Sequence, residues 1–368
     1  MAETFDDPSW ARVARTVFQR DLGLRPGQRV AIDSMTTSLR PIEMLAREAR
    51  RIGLRPVVLF NPDRFYEGSR GSSGASLSAT ARAELATLLT CDASVLIPPV
   101  PEDFARRDQL PLRERRAFHQ RDTTWMQVLV EHRIPSIYLL AATATESAAR
   151  CYGIDPNTWR RESIRAAAVD PRTFQRDAGR LIRSLKGGRE VTIRHPNGTD
   201  LRLRLMGLPP VLGDGVVRPQ DVAVGKIWTA IPSGFVALVV DDRHGEGHFV
   251  SNLPTRRRQG AVEGARWTFR NGRLRQRQFR RGGTVFDSAF RSAGPERDRP
   301  ALVSIGLNRE IHDFPLEEDL VYGVIGIQIG YNSDFGGRTP GSYREYALLA
   351  GADLFVDGKP IIRAGKFS

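Results

Sequence analysis

Three residues with metal-binding side chains, His244, Glu246 and His248, alternate in a short glycine-containing segment. On a strand they would share one face and could offer imidazole and carboxylate ligands to a single zinc or iron ion. The intervening glycines interrupt strand geometry, however, and a hairpin between Val240 and Val250 is expected to turn here. The segment is therefore predicted to be a turn, with metal binding as the alternative.

A series of arginines is the second group with potential chemistry. Arg273, Arg275 and Arg277 alternate with uncharged residues, so on a strand they would form one basic face. Such a face is most often solvated, and the functional alternative is binding of an acidic leader peptide or a nucleic acid. No aromatic residues that could stack on bases are interleaved with these arginines, which disfavours nucleic acid as the partner.

The composition is that of a soluble globular protein with excess positive charge. Hydrophobic residues make up 40% and charged residues 26% of the 368 residues, a length that suits two domains. The formal net charge is +13, yet only four of the 55 basic residues are lysines, a skew that a GC-rich coding sequence would itself produce. The charge predicts salt-dependent attraction to acidic partners, and a charge-driven nucleic-acid binder is one alternative function.

Neither a secretory signal nor a membrane partner is expected. Residues 1–20 carry acidic side chains early and lack an apolar stretch long enough for a signal peptide, and nowhere do about 18 apolar residues run together. We therefore expect a cytoplasmic location. In that compartment the two cysteines, Cys91 and Cys151, are predicted to be buried free thiols.

The N-terminal half alternates between strand-like and helix-like patterns. Apolar runs that predict buried strands are separated by segments with helical spacing. The predicted strands are Gly27–Asp33, Gly53–Phe60, Ala93–Pro98 and Pro135–Leu140. This alternation predicts a Rossmann-like α/β domain with a mostly parallel sheet. The first strand is not followed by a Gly-x-Gly-x-x-Gly motif, which disfavours nucleotide binding, and the glycine-rich segment 68–74 is predicted to be a flexible loop.

The pattern changes near Lys186, where a helical segment ends in two glycines. We place the domain boundary there, so that residues 1–187 form the Rossmann-like domain and residues 188–368 form an antiparallel β-rich, α+β domain. Three hairpins in the second domain are predicted from turn dipeptides, namely Asn197-Gly198, Asn271-Gly272 and Asp357-Gly358. Only Phe314–Val321 and Tyr343–Gly351 are predicted there to be helical or turn-like.

Five short motifs of the second domain occur in the order in which a known family carries them. They are Asn-Gly-Thr-Asp-Leu at 197–201, Ile-Pro-Ser-Gly at 231–234, Ile-Gly-Leu-Asn at 305–308, Phe-Gly-Gly at 335–337 and Val-Asp-Gly-Lys at 356–359. In this the chain resembles the thermophilic metallo-aminopeptidases of the aminopeptidase T and aminopeptidase S family. The resemblance implies an aminopeptidase-T-like fold and a homodimer.

The sequence departs from this family at the metal site. The family holds two divalent ions with two glutamates, two histidines and an aspartate, since the ions must polarise the peptide carbonyl and supply hydroxide. Here Phe235 and Leu302 stand at the glutamate positions, and Gly326–Gly330 lacks the expected histidine. The histidine-x-aspartate of the family corresponds to Arg344–Tyr346, where only the central glutamate could ligate a metal. Hydrolysis by the family mechanism is not expected, and related ring-opening dioxygenases, which need histidine and carboxylate ligands for iron, are disfavoured on the same ground.

The replacements suit the binding of a peptide. Aromatic rings bury apolar side chains, and an arginine pairs with a carboxylate. We therefore predict a non-catalytic protein, without metal or cofactor, that binds peptide in the cleft between the domains; simple filling of the space left by the metals is the alternative. The predicted peptide-binding residues are Phe235, Arg256, Tyr331, Phe335, Arg344, Glu345 and Tyr346.

A scaffold that has lost its ligands is also similar to the non-catalytic proteins of crocagin-type ribosomal peptide biosynthesis. That similarity implies a precursor or leader peptide as the partner. The rival hypothesis is a metal-dependent aminopeptidase or another metalloenzyme with a rebuilt site, around His244, Glu246 and His248 or around His312 and Asp313. For His312, which lies in a turn, a capping or hydrogen-bonded role is expected instead of ligation.

Overall fold

The computed structural model describes residues 8–35, 39–61, 82–98, 110–257, 260–311 and 318–367. The chain forms two compact units whose sequences interleave, the first comprising Met1–Val169 with Gly215–Ser233 and the second Asp170–Asp214 with Gly234–Ser368. The single boundary predicted after residue 187 thus differs from this division in two segments. Within the described ranges, no helix has the length and apolar character of a membrane span. The predicted loop at 68–74 and the pair at 312–313 lie outside the described residues.

The first unit is built on a parallel sheet. Its strands are β1 (Arg29–Ser34), β2 (Arg55–Phe60), β3 (Ala93–Ile97), β4 (Ser136–Leu139) and β8 (Trp228–Ile231). They lie in the order β2-β1-β3-β4-β8, and every pair is parallel. The predicted Rossmann-like sheet is confirmed. Its last strand comes from beyond the predicted boundary, because Trp228 pairs with Ser136 and so extends this sheet.

Helices surround the strands of this unit, and side chains alternate between the two faces of the sheet. The helices are α1 (Pro8–Thr16), α2 (Arg40–Arg51), α3 (Arg82–Leu88), α4 (Leu112–Glu131), α5 (Glu146–Tyr152), α6 (Pro156–Ala167) and α8 (Pro219–Ala223). Val30 and Ile32 of β1 pack in one core with residues of α1 and α2. Ala31 packs in another with Leu88 of α3 and Leu129 of α4. Burial on both faces explains why these strands are continuous apolar runs.

One carboxyl group is buried near the carboxyl end of β1. Asp33 is only 5% exposed, on the face of β1 that it shares with Ala31. Burial raises the pKa of Asp33 to about 7; Arg121 opposes this shift, whereas Glu84 and Asp122 add to it. The folded unit therefore favours the protonated form of Asp33 over a wide range of pH.

Two helices begin at an Asp-Pro pair that the sequence displays directly. Asp155 caps α6, accepting a hydrogen bond from the backbone N–H of Thr158 at 2.7 Å. Asp170 caps the next helix, α7 (Pro171–Leu185), accepting from the N–H of Arg172 at 2.9 Å. A proline in the first turn has no N–H to leave unpaired, so the cap and the proline together fix where each helix starts.

The second unit is a large antiparallel sheet with α7 and a further helix, α9 (Gly283–Ser292). Its longest strand, β9 (Phe235–Val250), has 16 residues and pairs with several others in turn. The remaining strands are β5 (Glu190–His195), β6 (Thr199–Leu205), β7 (Val211–Gly213), β12 (Arg266–Arg270), β13 (Arg273–Gln278), β14 (Pro300–Gly306), β15 (Ile325–Gly330), β16 (Arg344–Leu349), β17 (Asp353–Val356), β18 (Lys359–Arg363) and β19 (Lys366–Phe367). A separate pair is formed by β10 (Thr255–Arg257) and β11 (Gly260–Val262).

The turn predicted around His244 and His248 is wrong, because β9 continues through the whole segment. The glycines there serve close strand approach instead of a turn. A Cβ at Gly247 would lie 2.1 Å from the carbonyl oxygen of Asp200, and one at Gly245 would lie 2.9 Å from a methyl group of Leu203. The neighbouring strand β6 can therefore pair with β9 only where these positions lack a side chain.

The three predicted hairpins are confirmed. They are β5–β6, β12–β13 and β17–β18. In the last two, both turn residues have positive φ, which is the backbone of a tight hairpin turn. The helical or turn-like structure predicted for Tyr343–Gly351 is wrong, since Arg344–Leu349 is a strand paired with β15. Cys91 is buried as predicted, whereas Cys151 is exposed; both are free thiols.

Candidate functional site

The positions at which metal ligands are expected fall on four neighbouring strands, β9, β14, β15 and β16. Leu302 lies opposite Val239 on one side and Gln328 on the other, and Gln328 lies opposite Tyr346. These four side chains therefore form one row across a single face of the sheet. By the two-residue alternation of strands, Phe235 and Arg344 belong to the same face. We call this surface the replacement face.

An arginine and three aromatic rings form a connected group on the replacement face. The guanidinium carbon of Arg344 lies 3.9 Å from the ring centroid of Tyr331 and 5.1 Å from that of Phe335. The ring of Phe335 lies in turn 6.2 Å from that of Phe235, tilted by 55°. These are contact distances for cation–π and aromatic pairs. Four of the seven predicted peptide-binding residues are thus brought together.

Arg344 is fixed by two acceptors. Its Nε and Nη2 atoms donate to the carbonyl oxygen of Tyr331 at 3.1 and 3.0 Å, and Nη2 also donates to the carboxylate of Asp334 in a short ion pair. The side chains are 19% exposed for Arg344 and 4% for Asp334. Burial acts to lower the pKa of Arg344, but the Asp334 carboxylate outweighs it and raises that pKa, so the guanidinium stays charged.

The loop that carries Asp334 is shaped by the Phe-Gly-Gly motif. Asn332 donates its backbone N–H to the carbonyl oxygen of Thr339 at 3.0 Å, and its side-chain oxygen accepts from the N–H of Thr339 at 2.9 Å. Gly336 has a φ of 82°, and a Cβ at Gly337 would lie 2.1 Å from the side-chain oxygen of Asn332. Both glycines are therefore required for the loop to place Phe335 beside Arg344.

Phe235 and Phe335 are held by different neighbours. The ring of Phe235 occupies the space above Gly213 of β7, where a Cβ would lie 2.1 to 2.6 Å from three ring carbons. Phe335 packs against a small apolar cluster that includes Val239 and Leu302. Both rings are partly exposed, so they combine a fixed position with accessible apolar surface.

A second, smaller group lies around Glu318, a residue that is 2% exposed. Its carboxylate accepts from the backbone N–H of Arg256 at 2.8 Å, lies 3.6 Å from the Nη1 atom of the same arginine and accepts from the hydroxyl of Tyr346 at 3.2 Å. Two more of the predicted residues therefore meet at one carboxylate. Neither Glu318 nor Asp334 was predicted, because each lies in a short 3-10 helix and its partner is known only after folding.

Glu345 stands apart from the other predicted residues. It is 7% exposed, lies opposite Ile329 and, by strand alternation, belongs to the face opposite that of Arg344 and Tyr346. Glu345, the one residue of Arg344–Tyr346 that could ligate a metal, thus does not share a face with Arg344 and Tyr346.

The alternating ligand-type residues of β9 have separate partners. His244 contacts the carboxylate of Asp241 at 3.1 Å, and His248 contacts the hydroxyl of Thr268 at 3.0 Å. Glu246 accepts from the backbone N–H of Asn271 at 2.6 Å. In the part of the chain that the structure describes, no group of three or more histidine, cysteine, aspartate or glutamate side chains is arranged to hold a metal ion.

The predicted basic face on β13 is largely neutralised. Arg273 forms an ion pair with Asp298 at 2.7 Å, and Arg277 forms one with Asp287 at the same distance. Arg277 also lies 4.3 Å from the ring centroid of Phe290. Two of the three arginines of the predicted basic face, Arg273 and Arg277, therefore contact side chains of the second unit.

Two solved structures share this fold over almost the entire chain. AmpT from Thermus thermophilus aligns with a TM-score of 0.71 and 15% identity, covering 98% of this chain and 99% of that one. The 2,5-dihydroxypyridine dioxygenase from Pseudomonas putida KT2440 aligns with a TM-score of 0.62 and 14% identity, covering 97% and 96%. Neither a protein-family model nor a curated protein sequence matches. The chain therefore has the aminopeptidase-T-like fold that its ordered motifs predict.

Proposed function

We propose that this protein binds a peptide on an aminopeptidase-like scaffold and does not hydrolyse it. The observation that carries the proposal is the composition of the replacement face. Phe235, Leu302 and Arg344 stand where the family resemblance places metal ligands, and the guanidinium of Arg344 contacts the rings of Tyr331 and Phe335. Partly exposed aromatic side chains held by their neighbours are typical anchors for peptide side chains.

The ligand proposed is a precursor peptide of ribosomal natural-product biosynthesis. The support is the combination of a peptidase-type fold with an aromatic and arginine cluster, which is similar to the peptide-holding proteins of crocagin-type pathways. We further propose that the protein acts as a homodimer in the cytoplasm. A dimer would present two copies of the replacement face and so raise its apparent affinity for a peptide that reaches both.

Calorimetric titration with the short peptides encoded beside this gene tests peptide binding. We expect heat at tens of micromolar, and we expect Phe335→Ala to weaken binding by about tenfold or more because an anchor ring is lost. Phe355→Ala is the matched control. The ring centroid of Phe355 also lies near two guanidinium carbons, 5.6 Å from that of Arg194 and 4.7 Å from that of Arg363, but Phe355 belongs to β17, which is not part of the replacement face. Equal loss in both variants, or no heat with any candidate peptide, would contradict the proposal.

Turnover measurements test the absence of hydrolysis. Aminoacyl p-nitroanilides should remain intact with added cobalt, zinc or manganese, because a bridged metal pair needs several nitrogen or oxygen ligands at about 2.0 to 2.2 Å per ion. Glu345→Gln is the informative variant, since Glu345 is the carboxylate nearest in sequence to the expected ligands. Metal-dependent release that disappears in this variant would establish a peptidase with a rebuilt site.

A further inference from the structure

Arg344 of the replacement face and Arg256 of the smaller group around Glu318 are each paired with a buried carboxylate. Arg344 is bound by Asp334, and Arg256 lies beside Glu318. Both carboxylates are at least nine-tenths buried. The local charge is therefore cancelled, in contrast to the net charge of +13 for the whole chain. The chemistry offered to a ligand here is that of partly exposed aromatic rings.

We propose that this face selects an uncharged apolar or aromatic peptide side chain, and that Asp334 is a specificity-determining residue because it neutralises Arg344. This inference rests on the proposed peptide binding and names the ligand chemistry. It differs from the sequence-based expectation that Arg344 pairs with a carboxylate of the peptide.

A peptide carboxylate would meet a guanidinium whose charge Asp334 already balances. The Nε and Nη2 atoms of Arg344 are directed to Tyr331 and Asp334. Drawing the guanidinium away would leave the carboxylate of Asp334, whose side chain is 4% exposed, without its counter-ion. An uncompensated buried charge is strongly unfavourable, so an acidic ligand would lose there what it gained from the arginine.

An apolar side chain meets no such cost. The rings of Phe235 and Phe335 lie 6.2 Å apart and are tilted by 55°, and the Phe335 ring rests on an apolar cluster containing Val239 and Leu302. Aromatic rings in such an arrangement accept another ring edge-on or offset, and aliphatic groups by burial of surface. Binding of this kind depends little on ionic strength, unlike attraction driven by the net charge.

Pools of fluorescein-labelled octapeptides test the inference without knowledge of the natural ligand. The pools are degenerate except for one central position, fixed as Phe, Leu, Glu or Lys, and binding is followed by anisotropy at low and high salt. For the wild-type protein we expect the Phe and Leu pools to bind about tenfold more tightly than the Glu pool, with little change on adding salt.

Substitutions reverse or restore this preference. Asp334→Asn should raise affinity for the Glu pool by about tenfold and make it salt-dependent, because Arg344 is then uncompensated. Combining it with Arg344→Met should restore the preference for apolar pools. Asp353→Asn is the control: it removes an equal charge from the exposed pair with Arg363 at 3.0 Å and should leave the preference unchanged.

The outcomes separate this inference from the proposed function. A wild-type preference for the Glu pool, or a Glu-pool affinity that rises equally in Asp334→Asn and Asp353→Asn, would overturn the specificity while leaving peptide binding intact. Absence of binding by all pools and by every neighbouring-gene peptide would instead remove the proposed function. If Asp334→Asn fails to fold, the salt series on the wild-type protein still decides, because a tenfold loss of Phe-pool affinity with salt contradicts a neutral site.

Discussion

Breaking the buried ion pair between Arg344 and Asp334 should destabilise the second unit strongly. Removing one partner of a buried pair typically costs about 3 to 5 kcal/mol because the remaining charge is uncompensated. Arg344 keeps 19% of its side chain exposed and retains the carbonyl of Tyr331, so we place each single variant, Asp334→Asn and Arg344→Met, at the lower end, about 3 kcal/mol. The double variant should lose little more than one single variant, which corresponds to a coupling of about 2 to 3 kcal/mol.

Urea unfolding of the four proteins in this cycle measures the coupling. The exposed pair formed by Arg363 and Asp353 at 3.0 Å is the control cycle, since its side chains are 56% and 32% exposed. Exposed pairs couple by only about 0 to 1 kcal/mol. If the buried pair couples no more strongly than this exposed pair, the assignment of Asp334 as the buried counter-ion of Arg344 is refuted.

Asp33 and two glycines give further predictions. Because the pKa of Asp33, about 7 in the folded state, lies above its unfolded value, the stability it contributes is complete below about pH 4 and is lost as the pH rises through 7. Urea unfolding at several pH values should therefore show that the free energy of unfolding of Asp33→Asn, relative to that of the wild type, increases as the pH rises, by up to about 1.4 kcal/mol per pH unit. A difference in free energy that does not change with pH would contradict this prediction. Gly213→Ala should destabilise by about 1 to 3 kcal/mol because its Cβ would meet the ring of Phe235. Gly179→Ala is the control, because Gly179 lies inside α7 and its added Cβ would meet only the Nη1 atom of Arg183, at 3.6 Å; this variant should gain up to about 1 kcal/mol in thermal unfolding. A Gly213→Ala variant as stable as the wild type would refute the packing at Gly213.

Much of the fold follows from local sequence patterns. The apolar runs of the first unit predicted its parallel strands, because strands buried on both faces must be apolar throughout. The dipeptides Asn271-Gly272 and Asp357-Gly358 predicted hairpins, because their residues adopt positive φ at low cost. The turn predicted at Gly245–Gly247 was wrong because of a contact between distant parts of the chain. Its glycines resemble a turn in the sequence, but they allow β6 to approach β9, a contact with residues more than 40 positions earlier.

Four of the predicted site residues, Phe235, Tyr331, Phe335 and Arg344, are neighbours in the folded chain. That they bind a peptide remains a prediction. The strand at Arg344–Leu349 had been predicted as helix or turn, so the alternation that separates Glu345 from its neighbours was not available from the pattern. The counter-ions were also missed, because nothing in the residues around Asp334 or Glu318 specifies which arginine they contact.

The sequence by itself determined the local elements, namely the Asp-Pro helix starts, the hairpin turns and the buried strands. These depend on backbone preferences and side-chain type over a few residues. The tertiary structure alone decided that Trp228–Ile231 completes the parallel sheet, that β9 runs unbroken through two histidines, and that Asp334 neutralises Arg344. Strand partners and ion pairs are chosen by packing between distant parts of the chain, which local patterns do not encode.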